Sequence, residues 1–440
     1  MKKIYAIFVL FLLADSLCAY DFEKDGLYYV ITSNIEPCAV AVSYEFDESG
    51  EGPAYEGYKS VRIPSSVTYD DVKYAVTSIA NEAFYDCTTL KHVAIPKSVV
   101  RIGVDAFTGT GIYNNPSNWK NGMLYIDNCL IQVDELFYGD CKIKSNTRVI
   151  ADGAFSNCQH LASVTIPEGI KRIGDYTFAS CYSLASVCLP NTITSIGVMA
   201  FYACRALSTI DLPSSLTDIG WNAWHDCFSL TSLTIPASVT YIVGNALDNA
   251  PIYHNASNWK NDVLCVDGCL IDAKESIADV YIIDDTIRLI ADYAFRNCAH
   301  LTSVEIPNSV VNIGSHAFDR CYYLRGISVS SDNPVYDSRD NCNAIIETAT
   351  NTLIIGCCNS KIPHTVTTIG VEAFAHGTSK SITIPKSVTY IDEGAFYNAF
   401  LSEINYEGTM AEWNEVYLGF DWATGIRATY VQCTDGRVEL

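Results

Sequence analysis

From Ile173 to Pro190 the chain reads IGDYTFASCYSLASVCLP, and nearly the same string begins again at Ile196 and at Ile219, 23 residues apart each time. A fixed period of that size is the mark of a solenoid: each unit is one coil, no coil can bury its own apolar positions, and stacking makes the core. The 440 residues would otherwise suggest about three globular domains, but the repetition overrides that count.

Each unit can be read from the letters that stay. In Leu184 to Pro190 the fixed apolar residues alternate with free ones, the pattern of a strand with one buried face, and the proline ends it. A second apolar pair, Ile193 and Ile196, and the small–large pair Ala200 and Phe201 complete about six inward positions. The large position recurs at Phe84, Phe107, Phe155, Phe178, Phe201, Trp224, Leu247, Phe295, Phe318, Phe374 and Phe396. Three residues after it stand Cys87, Cys158, Cys181, Cys204, Cys227, Cys298 and Cys321. Thiols stacked at roughly 4.8 Å with parallel Cβ directions do not suit a disulfide, so they are expected to be small buried groups with weak S–H donors. Outside the period, Cys129 with Cys141, or Cys342 with Cys357 or Cys358, remain open as local pairs.

The chain opens with Lys2 and Lys3, an apolar run from Ile4 to Leu13, and Ser16-Leu-Cys-Ala19, the parts of a secretory signal peptide cleaved after Ala19. The run is too short to span a bilayer, so residues 1–19 are expected to be a leader and the rest exported, to the medium or to the cell surface, with no transmembrane segment. Residues 20–77 break the period and read as a β-rich cap or a small separate domain; 78–400 carry the solenoid; 401–440 leave the period again as a C-terminal cap.

Two units are 48 residues long instead of 23 and match each other at an offset of 140: Ile112 to Asn121 returns as Ile252 to Asn261. Each carries an expected hairpin, Met123 to Val133 and Val263 to Asp272, the second with the Asp-Gly pair that a two-residue turn prefers. With a third from Ser330 to Pro363, insertions are placed near 111–135, 251–275 and 330–363. Insertions in solenoids project and often make contacts, so Trp119 and Trp259 are candidates for a ligand, unless these segments only cover a seam.

If Val and Ile of each strand face inward, the outward positions are Ser163 and Thr165, Thr209 and Asp211, Ser232 and Thr234, Ser303 and Glu305. Stacked, they form a flat row of small polar side chains, either a broad contact face for a partner or an ordinary exposed sheet surface. The net charge of -22 disfavours nucleic acid and anionic lipid. The eight histidines lack metal-ligand spacing and read as repeat-surface residues; no nucleophile motif, phosphate loop or complete calcium loop is present. No catalytic residue, metal or cofactor is expected.

The unit IGxxAFxxCxxLxxVxIPxSV resembles the 23-residue leucine-rich repeat of the BspA-like, Treponema pallidum type over roughly residues 60 to 400. The inserts SNWK at Ser117 and Ser257 and the terminal EGTMAEWN at Glu407 also resemble BspA-like proteins of Bacteroides and Prevotella relatives. Departures stand at Thr110, Ala250, Gly377 and Ala399, which replace the repeat cysteine. The resemblance implies a leucine-rich-repeat stack with a parallel sheet. It also implies a secreted or surface protein that adheres to matrix proteins or other cells, the alternative being a structural or glycan-binding envelope component.

Overall fold

A computed structural model describes residues 20–34, 36–44 and 55–440; the expected leader lies outside them. The chain is a β-solenoid of stacked coils with mostly parallel pairing and almost no helix. It divides into two compact units, Met1–Leu233 with Leu247–Ile252, and Thr234–Ala246 with Tyr253–Leu440.

A regular coil has three sides. One carries the valine strand, with Leu161–Thr165 parallel to Ser186–Cys188 and Val164 opposite Val187. The second carries the isoleucine–glycine strand: Arg172–Ile173, Ser195–Ile196 and Asp218–Ile219 pair in order. The third is the Phe bend, held by its own ladder between coils, as in Tyr176 N to Val198 O, Phe178 N to Ala200 O and Ser180 N to Tyr202 O, each 2.8 Å. That ladder turns amides on both sides of the Phe toward the next coil. It does so by placing the residues two before and two after the Phe at positive φ: Tyr176 and Ser180, Met199 and Ala203, Asn222 and Asp226. The glycine of each Ile-Gly is fixed by close approach: a Cβ on Gly197 would lie 2.7 Å from the Asp175 amide nitrogen.

The core is a set of stacked rows. Phe155, Phe178, Phe201 and Trp224 are fully buried, with ring centroids 4.9, 5.4 and 6.0 Å apart in sequence. Phe84 lies on Phe107, Phe295 on Phe318 and Phe374 on Phe396 in the same way. Tyr55 continues the first row at 4.9 Å from Phe84. Beside the Phe row runs the thiol row. Cys181, Cys204 and Cys227 donate to the carbonyls of Phe155, Phe178 and Phe201, one coil back, at 3.0 to 3.1 Å. Cys321 does the same to Phe295. Cys158 and Cys298 stand first after an insertion and reach the hairpin carbonyls of Asp134 and Lys274 instead. Cys87 is buried beside the N-terminal section. Cys321, expected in the core, is only half-buried, because the third insertion follows and no repeat cysteine stacks on it. All described cysteines are free thiols, so the local pairs left open by the sequence do not form: Cys129 donates to Asp127 O, Cys342 to Ala344 O and Cys357 to Asn343 O.

The N-terminal section shares its sheet with the repeats. Ala39–Ser43 runs parallel to Val72–Ile79, and Ser78 and Ile79 pair with Arg101 and Ile102. At the other end the strands Ser381–Ile384, Glu403–Tyr406 and Tyr430–Cys433 are parallel, and the chain closes with Gly436–Glu439 antiparallel. A short helix, Met410–Trp413, has a full capping box between Thr409 and Glu412.

The three hairpins form, and the first two turns have both central residues at positive φ: Asp127 and Asn128, Asp267 and Gly268. They do not project as expected. The second strand of each pairs in parallel with the next isoleucine strand, Cys129 with Val149, Cys269 with Leu289 and Thr352 with Thr368, so the hairpin is built into the wall.

Candidate interaction surfaces

The outward strand positions are open to solvent. Thr165, Thr209, Asp211, Ser232, Thr234 and Glu305 are exposed, and Ser163 and Ser303 half-buried. Ser163 sits opposite Ser186 and takes Asp140 as hydrogen-bond acceptor at 2.6 Å; Ser303 and Glu305 lie opposite Gly326 and Ser328. Thr209, Asp211, Ser232 and Thr234 depart from expectation in lying on no ladder strand. Neighbouring coils stay paired here on their other two sides, Ser195 with Asp218 and the Phe201 amide with Ala223 O, so only the valine side lacks its rungs. The sequence reading also missed Val280 and Ile282, the outward pair of the strand Val280–Ile282, which are 57% and 67% exposed beside Ser303 and Glu305. Their positions in the first block hold Asp140 and Lys142, so the signal was the change from charged to apolar between the two copies.

Trp119 and Trp259 are half-buried. Their indole N–H groups donate to Tyr113 O at 2.8 Å and Tyr253 O at 2.6 Å, and each ring meets that tyrosine edge-on. The polar edge of each indole is thus used to fix the root of its insert, and any ligand would have to use the remaining ring face. The Lys274 ammonium lies 4.9 Å over the Trp259 ring.

Each insert also latches onto the coil before it. In a regular coil the serine or threonine after the proline donates to a carbonyl one coil back, as Thr192 does to Ile170 and Ser215 to Ile193. Where an insert replaces that coil, another donor takes over. Arg148 donates to Val99 O and Ile95 O, Arg288 to Val239 O and Pro236 O, and the Asn333 amide to Val310 O and Pro307 O.

Two charged clusters lie in the walls. Asp152, almost wholly buried, takes Arg101 and Arg172, and both guanidinium groups continue to Asp175 at 2.8 and 2.7 Å. The corresponding place in the second block holds Asp292, bonded to the Tyr241 hydroxyl and to both the amide and Nδ1 of His316. His316 Nε2 meets Glu372 at 2.9 Å, so this histidine is a buried bridge and not the surface residue expected from sequence. Its two carboxylate partners push its pKa up to about 10 against the opposing effect of burial. With both ring nitrogens donating, it has no lone pair to offer as a general base. Among the described residues no group of His, Cys, Asp and Glu is arranged to hold a metal, and no helix is long and apolar enough to cross a membrane.

The model of the BspA type leucine-rich repeat region matches residues 58–130, 134–252, 274–348 and 355–417. No curated protein matches the chain. Among solved structures, a leucine-rich cell surface protein from Faecalibacterium prausnitzii is 27% identical, covering 92% of this chain and 98% of that one, with a TM-score of 0.30. A leucine-rich repeat protein from Bacteroides ovatus is 24% identical over 94% and 91%, with a TM-score of 0.27. The T. pallidum leucine-rich repeat protein is 18% identical over 69% and 90%, with a TM-score of 0.22. Superposition at that level adds nothing to the assignment, which rests on the sequence match across most of the chain. With its period, its Phe and Cys rows and that match, the chain belongs to the BspA type leucine-rich repeat family.

Proposed function

We propose that this protein is an exported binding scaffold of the adhesin kind, which engages a matrix protein or another cell's surface through the outward face of its valine strands. The observation that carries this reading is the exposed apolar pair Val280 and Ile282, held in register beside Ser303 and Glu305 on a hydrogen-bonded sheet. Apolar side chains fixed on a rigid backbone and rimmed by polar ones have the composition of an interface centre, and ordering them costs little on binding. The acidic surface suits a partner with basic patches and argues against polyanions.

The test is saturable binding of residues 20–440 to immobilised fibronectin and fibrinogen at two salt concentrations. Binding that drops on Val280→Ser with Ile282→Ser, in a protein that melts as wild type, supports the scaffold reading. Binding to neither protein, or binding untouched by that double change, overturns it.

A further inference from the structure

The two long units have diverged at one place in a way that opens a hollow in the second. In the first unit the Tyr125 side chain occupies the space outside the hairpin: its hydroxyl lies 3.1 Å from Thr147 Oγ1, and Lys144 Nζ caps its ring at 3.9 Å. At the offset of 140 these three residues become Cys265, Ile287 and Asp284. The hydroxyl that held the tyrosine and the ammonium that covered it are replaced, and the tyrosine itself moves across the site, since Cys141 of the first unit becomes Tyr281. Beside the relocated ring lies a cavity of about 240 Å³.

The walls of this cavity are built for a ligand that both donates and accepts. Its floor is apolar, from Val263 and Ile287, and the Tyr281 ring and Cys265 line one side. Tyr281 is 7% exposed, and its hydroxyl has no hydrogen-bond partner among the described residues. The hydroxyl itself keeps access to the cavity, so it is free to give or take a hydrogen bond with a ligand. On the rim, Lys260 has no ion pair within the described residues, and Asn261 offers an amide. Asp284 uses Oδ1 for the Thr286 amide and hydroxyl at 2.9 and 2.6 Å, which leaves Oδ2 open. A cation and an anion on the same rim favour neither sign of ligand. Hydroxyl groups satisfy both, and a polar rim over an apolar floor matches a ring with hydroxyls at its edge and C–H groups on its face. The volume equals about eight waters at about 30 Å³ each, which admits one such ring and not a chain.

We propose that this hollow is a carbohydrate subsite for a single pyranose ring, with Lys260, Asn261, Asp284 and the Tyr281 hydroxyl bonding its hydroxyls. The hollow shares the strand Val280–Ile282 with the proposed contact face but uses its inward residue Tyr281, so the Val280 and Ile282 changes and the Tyr281 change test the two readings separately.

The experiment is saturation-transfer NMR and titration of the purified protein with glucose, galactose, mannose and N-acetylglucosamine, with phosphate and putrescine as charged controls. At least one sugar is expected to bind in the millimolar range. Cys265→Tyr, which restores the residue that the first unit carries, is expected to abolish binding, and Tyr281→Phe to weaken it on the order of tenfold. Should Cys265→Tyr fail to fold, Tyr281→Phe and Asp284→Lys carry the test at the rim. No response from any sugar, a response only to phosphate or putrescine, or sugar binding unchanged in the folded variants overturns the proposal.

Discussion

The Cys204 thiol lies 3.1 Å from the carbonyl oxygen of Phe178, one coil back in the stack. The same contact links Cys181 to Phe155 and Cys227 to Phe201, so the thiol of each coil tops up a carbonyl of the last. Burial pushes Cys158 and Cys227 up to about 12, and Cys181 and Cys204 well above the ordinary thiol range. Cys188, on the outward face of a strand, is exposed. Because the thiolate is the nucleophile, iodoacetamide at pH 8 is expected to modify Cys188 first and the row only on unfolding. Mass spectrometry of peptides along a time course reads this directly, and equal rates for Cys188 and Cys204 would show that the row opens in the native state.

His316 ties the coil of Asp292 to that of Glu372 across the third insertion. Its folded pKa of about 10 lies above the ordinary value of about 6.5. A raised pKa contributes stability that is complete below about pH 6.5 and is lost as pH rises through about 10. His316→Gln is therefore expected to lower the melting temperature most near pH 6, with the gap to wild type closing toward pH 10. A gap of constant size over that range would assign the loss to packing and refute the charged bridge.

How far the sequence reveals such features depends on which groups recur. Phe178 and Cys181 are legible because most coils put a large ring and a small donor at the same height. The bend around them is not, since its positive-φ positions hold Tyr176, Met199 and Ala203 as well as Asn and Asp; the ladder between coils imposes the conformation whatever the side chain. Aligning the coils would have shown Asp86, Gly109, Asn157, Asp226 and Asn249 at one position, a preference for residues that tolerate the left-handed region. His316 was misread for the opposite reason: its partners come from Asp292 and Glu372, 24 residues before it and 56 after, across an insertion that the period does not span. Likewise Asp211 could be named as outward, but the loss of its strand is not legible in its own segment, whose alternation matches that of Ser186 to Pro190.

Asp152 makes a sharper test of buried charge. With two guanidinium partners at 2.9 and 2.5 Å, its removal in Asp152→Ala leaves Arg101 and Arg172 sharing Asp175 alone, and a loss at the lower end of about 3–5 kcal/mol is expected. Arg172→Ala in the Asp152→Ala background should then cost much less than it does alone. Chemical denaturation of the four proteins of this cycle measures the coupling, and simple additivity would mean that the contacts contribute nothing jointly.

Arg288 carries the second insert. Its bond of 2.6 Å to Val239 O satisfies a carbonyl that a regular coil would have met with a serine or threonine, and a second of 2.9 Å reaches Pro236 O, which also accepts the Val239 amide. Arg288→Met keeps the length of the stem and removes both donors, which takes the partner from Val239 O at a cost of about 1–3 kcal/mol, while Pro236 O keeps the Val239 amide. The loss is local, because the hairpin Val263–Val266 and Cys269–Ala273 is the element that the latch holds down. Hydrogen exchange is therefore expected to quicken at Val263 to Ala273, while the amides of Tyr176, Phe178 and Ser180, set in the bend ladder, keep their protection. Uniform quickening along the chain would instead make the arginine a contributor to global stability. No change at the hairpin would show that its turn, fixed by the Asp267 carboxylate accepting the Ile235 amide at 2.8 Å, is sufficient alone.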